Sequence, residues 1–131
     1  MKKYEQALRV WSVRGAVNLD AADKRQMISR ITELLSDITG RNGIENSAII
    51  NIQFTQTEDI DFCNAAYAAR VGGMRDIASA VPLFCSLEPT YPQSLSLTIR
   101  IMLSYYHSHD HCPEPVYLYE TKNMRKDLLN D

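Results

Sequence analysis

Two hydrophobic periods alternate along the chain, and that alternation limits the possible folds more than any other feature of the sequence. Residues 9–17 are rich in β-branched and aromatic side chains and read as a first strand. Ile28, Ile31, Leu35 and Ile38 then recur at helical spacing, with Asp20 as N-cap candidate and Gly40 and Asn42-Gly43 as the stop. Over residues 48–55, Ile50, Ile52 and Phe54 alternate with Asn51 and Gln53, the pattern of a half-buried strand. The alanine-rich stretch 59–71 predicts a second helix ended by Gly72-Gly73, and residues 80–85 a short third strand. Leu95, Thr98, Ile99, Met102, Leu103 and Tyr106 recur at i, i+3, i+4, i+7, i+8 and i+11, which predicts an amphipathic third helix. A polar loop over 107–115 leads to a last strand over 116–120. The order β-α-β-α-β-α-β predicts an α+β (α/β-like) domain, a mixed sheet with helices packed on one face. So few strands leave open edges, and oligomerisation is one way to cover them.

No repeat, low-complexity run or linker divides the chain, so residues 1–131 are expected to form one domain, with an N-terminal extension over 1–8 and a C-terminal tail over 121–131. No run approaches the roughly 18–20 apolar residues of a membrane span. Glu5, Gln6 and Arg9 deny the first twelve residues a signal-peptide core. Cys63, Cys85 and Cys112 are odd in number and widely spaced, which argues for reduced thiols and a cytoplasmic location. A net charge of −2 argues against a nucleic-acid binder, which needs a basic excess. Arginine nevertheless outnumbers lysine nine to five. Its planar fork suits carboxylates and phosphates, so a local anion pocket is worth seeking.

His107, His109, His111 and Cys112 have the types and spacing to chelate zinc. They sit beside Pro113 and Pro115 with no second ligand cluster elsewhere, so the segment reads as a polar loop and no metal site is assigned. A nucleophile elbow, a Cys-x-x-Cys pair, a P-loop and a dinucleotide fingerprint are all missing from the sequence. What remains is arginine with a few companions. Arg14 ends the first strand beside Gly15, Cys85 and Glu88 lie on the segment leaving the third, and Arg100 sits between Ile99 and Ile101. A guanidinium in such apolar company needs an inward or interfacial partner, of which a plain Glu88–Arg100 salt bridge is the simplest.

The motifs Val13-Arg14-Gly15-Ala16, Pro82-x-x-Cys85-x-x-Glu88, Arg100, Val116-Tyr117-Leu118 and Arg125-x-Asp127-Leu128 occur in this order and spacing. From about Trp11 to Leu128 the chain thereby resembles the small trimeric AroH-type chorismate mutases. That resemblance implies a pseudo-barrel trimer with its pockets between subunits. It also implies the Claisen rearrangement of chorismate to prephenate, with no cofactor and no covalent intermediate. Even a low-end acceleration of about 10⁶ requires about 8 kcal/mol of barrier lowering, from conformational restriction and preorganised cationic donors. The resemblance gives Arg100 the ether oxygen and a substrate carboxylate, Glu88 the ring hydroxyl and Cys85 a place beside that hydroxyl. Arg14 and Tyr117 match a clamp on the enolpyruvyl carboxylate. Arg70 and Arg125 match outer basic positions, the latter on a tail that closes the pocket. Asn64 stands where the family has a phenylalanine, Tyr67 where it has a lysine, and Phe84 replaces a smaller polar residue. This altered rim leaves a second reading, a non-catalytic trimeric binder of a small dicarboxylate, and a third, a related enzyme acting on a chorismate-like substrate.

Overall fold

The computed structural model describes residues 7–124, apart from the side chains of Ala78 and Ser79. Its elements are β1 (Leu8–Asn18), α1 (Lys24–Asn42), β2 (Ile49–Gln56), α2 (Ala65–Val71), α3 (Arg75–Ala80), β3 (Leu83–Leu87), β4 (Thr98–Ser108) and β5 (Val116–Tyr117), with 3₁₀ turns over Asn46–Ala48 and Tyr119–Asn123. The five strands form one mixed sheet in the order β3-β2-β4-β1-β5. β4 runs antiparallel to both β1 and β2, while β3 and β5 lie parallel to their neighbours at the two edges. α1 packs on β1, and α2 on β2 and β3, so the expected α+β architecture is what forms. The sheet is open, so a single chain does not close the pseudo-barrel that the resemblance implies.

The expected helix over 95–106 is instead the central strand β4. Ile99, Ile101, Leu103 and Tyr105 face the helices and are buried, while Arg100, Met102 and Tyr106 face the opposite side. Because Met102 and Tyr106 are themselves apolar, residues on both sides of the strand also match a helical template. The β-branched run Thr98, Ile99 and Ile101 and the contiguous alternation from Ile99 to Tyr105 carry the strand signal.

Other boundaries shift for local reasons. Asp23 rather than Asp20 caps α1, its carboxylate accepting from the Arg25 N–H at 2.9 Å; Asp20 pairs with Arg30 at 2.7 Å instead. Gly43 ends α1 at φ 58°, a left-handed position that glycine takes without strain. Gly40 lies inside the helix. The second helix shrinks to Ala65–Val71 because the Thr57, Asp59 and Asn64 side chains accept from backbone N–H groups and hold the preceding segment in turns. α3 occupies residues assigned to a loop and to the start of the third strand, and β3 begins only after Pro82. The last strand keeps two residues, since Tyr119 turns away at φ 58°. Its hydroxyl donates to Glu33 Oε1 at 2.7 Å, and the Arg30 guanidinium lies 3.8 Å over its ring.

One face of α1 supplies Met27, Ile31, Leu34, Leu35 and Ile38 to the core, against Val13 and Val17 of β1, Ile52 and Phe54 of β2, and Ile99 and Leu103 of β4. Close approach of α1 to β1 depends on Gly15, where a Cβ would come within 2.6 Å of Ile38 Cδ1 and 3.1 Å of the Val116 carbonyl oxygen. Among the described residues, no helix covers the opposite face of the sheet, which leaves Val10, Met102, Tyr106 and Phe84 exposed. Among the same residues, no helix is long and apolar enough to cross a membrane.

At one end of the β1–β4 pair the histidine segment closes over the core. His107 and His111 stack with centroids 3.8 Å apart, and His111 Nε2 lies 2.6 Å from the hydroxyl of the fully buried Tyr105. Among the described residues, no three histidine, cysteine or acidic side chains group as metal ligands. Burial first, and then the neighbouring His107, hold the His111 pKa below its ordinary 6.5, with Asp110 opposing. A base whose folded pKa is depressed binds fewer protons than the unfolded chain does. Its stabilising contribution is therefore whole above pH 6.5 and lost as pH falls through 6.5 toward the folded value. Burial likewise pushes Tyr105 up from 10.0 to about 12, so its contribution is lost as pH rises through that interval. The urea midpoint should fall on acidification from pH 7.5 to 5.5, and His111→Gln should flatten that slope; an equal slope in the variant would remove His111 from the account.

Candidate active site

The site is built from alternate residues on the uncovered face of the sheet. In the register of β1, β4 and β2, Arg100 pairs with Ala16 on one side and Thr55 on the other, and Arg14 pairs with Met102. Tyr117 pairs with Ala16, so it joins the same face from β5. Glu88 follows β3 directly, and its N–H donates to the Gln56 carbonyl at 2.8 Å, carrying the ladder one residue further. The Thr55 hydroxyl donates to Glu88 Oε1, while Glu88 Oε2 lies 3.5 Å from Arg100 Nε.

The expected Glu88–Arg100 ion pair is thus present in a loose form. Arg100 Nε is buried yet has no hydrogen-bond partner among the described residues, and the side chain as a whole remains 42% exposed. A buried donor without an acceptor is costly, and it leaves the guanidinium ready for an incoming acceptor. Arg14, Gly15, Glu88, Arg100, Met102 and Tyr117 are among the residues lining a cleft of about 270 Å³. Among the described residues, two guanidiniums face one carboxylate there, so the positive charge is in excess. A larger hollow of about 530 Å³ adjoins it and shares Glu88 and Arg100. Tyr91, Ser94, Glu120 and Asn123 are among its other lining residues, so the 3₁₀ turn after β5 forms part of its wall.

Arg14, Glu88, Arg100 and Tyr117, four of the seven expected site residues, are therefore brought together. Cys85 and Arg70 do not line this cleft. Cys85 pairs with Phe54 and so points to the helix side, where its Sγ–H donates to Gln56 Oε1 at 3.2 Å. Arg70 is exposed on the last turn of α2. Arg125 lies outside the described residues, as do residues 1–6 of the expected extension over 1–8 and residues 125–131 of the expected tail over 121–131. Asn64 caps α2, its Oδ1 accepting from the Ala66 and Tyr67 N–H groups at 2.8 and 3.2 Å. Tyr67 is 40% exposed, with the Lys24 ammonium 5.1 Å from its ring centroid.

Thr55 and Gln53 were not among the expected site residues, although both line the cleft. The signal was present in β2, where the polar partners of Ile52 and Phe54 must face away from the helices.

Comparison with known proteins gives the family and the fold. The family model described as chorismate mutase type I matches residues 10–128. Among solved structures, the chain is similar to a chorismate mutase from Clostridium thermocellum, with a TM-score of 0.74 and 31% sequence identity. That match covers 86% of this chain and 98% of the other. No match is found among curated proteins.

Proposed function

The chain belongs to the type I chorismate mutase family, and from that membership we propose that its cleft rearranges chorismate to prephenate around Arg100. As a chorismate mutase it is an isomerase of aromatic amino acid biosynthesis. The convergence of Arg14, Glu88, Arg100 and Tyr117 from four separate segments supports the reading more than any other observation.

In this reaction the carbon–oxygen bond of the enolpyruvyl ether breaks as a carbon–carbon bond forms to the ring, all within one molecule. No nucleophile or proton donor is consumed. Arg100 donates to the ether oxygen as it gains negative charge, and its buried, unpartnered Nε supports that role. Glu88, steadied by Thr55, accepts from the ring hydroxyl. Arg14 and Tyr117 hold the enolpyruvyl carboxylate over the ring, so that the reactive conformer is selected before the bond breaks. The shift is electronically complete within the substrate and calls for no cofactor.

Cys85 and Arg70 take part, in this proposal, from a neighbouring copy in a homotrimer whose pockets lie between subunits. The exposed apolar residues Val10, Met102, Tyr106 and Phe84 on the uncovered face support such association. Arg125 would complete the basic rim. The three unpaired cysteines support a cytoplasmic setting.

Incubating the purified protein with chorismate and following the loss of its ultraviolet absorbance tests the reaction. Turnover well above the uncatalysed rate is expected, with little pH dependence around neutrality because no proton moves in the chemical step. Absence of turnover would overturn the reading. Sedimentation equilibrium tests the assembly, with a mass three times 14.9 kDa expected.

A further inference from the structure

Gln56 ends β2 on the helix side of the sheet, in none of the expected site positions, and all four hydrogen-bonding positions of its side-chain amide are used. Nε2 donates to the Ile60 carbonyl at 3.0 Å and to the Cys63 carbonyl at 2.9 Å. Oε1 accepts from the Ala65 N–H at 2.8 Å and from Cys85 Sγ–H at 3.2 Å. The amide orientation is unambiguous, since two carbonyl oxygens demand donors and a backbone N–H demands an acceptor. Its backbone carbonyl separately accepts from the Glu88 N–H.

We propose that Gln56 is a positioning residue that sets the Cys85 thiol and the α2 rim as one unit. The proposal rests on the reading of Cys85 and α2 as parts of the substrate pocket. The thiol proton is committed to Oε1, so Cys85 meets a ligand as a sulfur acceptor and contact surface, not as a donor. The same oxygen holds the first N–H of α2, while Asn64 holds the next two, and this fixes the helix carrying Tyr67 and Arg70. Two parts of the pocket that are remote in sequence thus share one anchor. The backbone bond to Glu88 does not depend on the Gln56 side chain, so a substitution there separates this unit from the Glu88–Arg100 pair.

Gln56→Leu keeps the bulk of the side chain and removes all four bonds. Held contacts of this kind act on ground state and transition state alike, so KM for chorismate should rise about tenfold with kcat changed less than about threefold. The infrared S–H stretch of Cys85, assigned by its disappearance in Cys85→Ala, should move to higher frequency in Gln56→Leu as the hydrogen bond is lost. A merely structural role would lower the melting temperature and shift the stretch, but leave KM in place. An unchanged stretch or an unchanged KM in folded Gln56→Leu would overturn the proposal. Should that variant fail to fold, the wild-type spectrum decides: a Cys85 band at the frequency of the exposed Cys112 thiol would equally overturn it. If the wild-type protein turned over no chorismate, the assignment of the reaction would fall, and the band would still decide whether Gln56 holds the thiol.

Discussion

Replacing Arg100 with alanine should lower kcat by about a thousandfold or more while the protein stays folded. Removing one preorganised donor from a developing oxyanion costs on the order of 10²–10³, and here the same side chain also supplies cationic charge. The fold should tolerate the loss, because the Arg100 side chain is 42% exposed and its contact with Glu88 is a loose 3.5 Å pair. Glu88 keeps its bond from Thr55. Arg100→Lys should remain impaired by about a hundredfold, since an ammonium is a point charge on a flexible stem and cannot reproduce the fork. Saturating kinetics on both variants, with circular dichroism as a check of folding, give the answer. Near-normal turnover in folded Arg100→Ala would end the electrostatic account of this cleft.

The largest expected loss of stability comes from a site with no side chain at all. Gly15 faces α1, and even a Cβ there would sit 2.6 Å from Ile38 Cδ1 and 3.2 Å from Leu34 Cδ1. Those methyl groups can yield somewhat, whereas the Val116 carbonyl at 3.1 Å belongs to the backbone of β5. Gly15→Val adds two further carbons into this gap, and overpacking of that kind costs about 3 kcal/mol. A melting temperature lower by on the order of 10 °C is expected by calorimetry. The strain falls on the β1–β5 pairing that aims Tyr117 and on the strand that carries Arg14, so activity should fall as well. A variant as stable as the wild-type protein would show that α1 can withdraw from the sheet without penalty.

Much of this architecture was legible from residue patterns. β1, α1 and β2 announce themselves through β-branched runs, a helical stripe and a glycine stop, and each lies within a few residues of its expected place. β4 did not, because Met102 and Tyr106 make its outward face apolar and blur the period of two. The error concerns secondary structure and not chemistry: Arg100 still meets Glu88, now as an alternate residue of a strand. The pairing of Arg14 with Tyr117 was carried by motif resemblance, and their shared cleft follows from a strand order that no local pattern encodes. Gln56 escaped notice because a glutamine at a strand end looks like any solvated residue until its four partners are placed around it.

The two outermost strands are five and two residues long, and each directly follows a proline, Pro82 and Pro115. A passing chain therefore finds little backbone at either rim on which to zip itself. Crowded copies are thereby denied an easy route to fibre growth along the hydrogen-bonding direction.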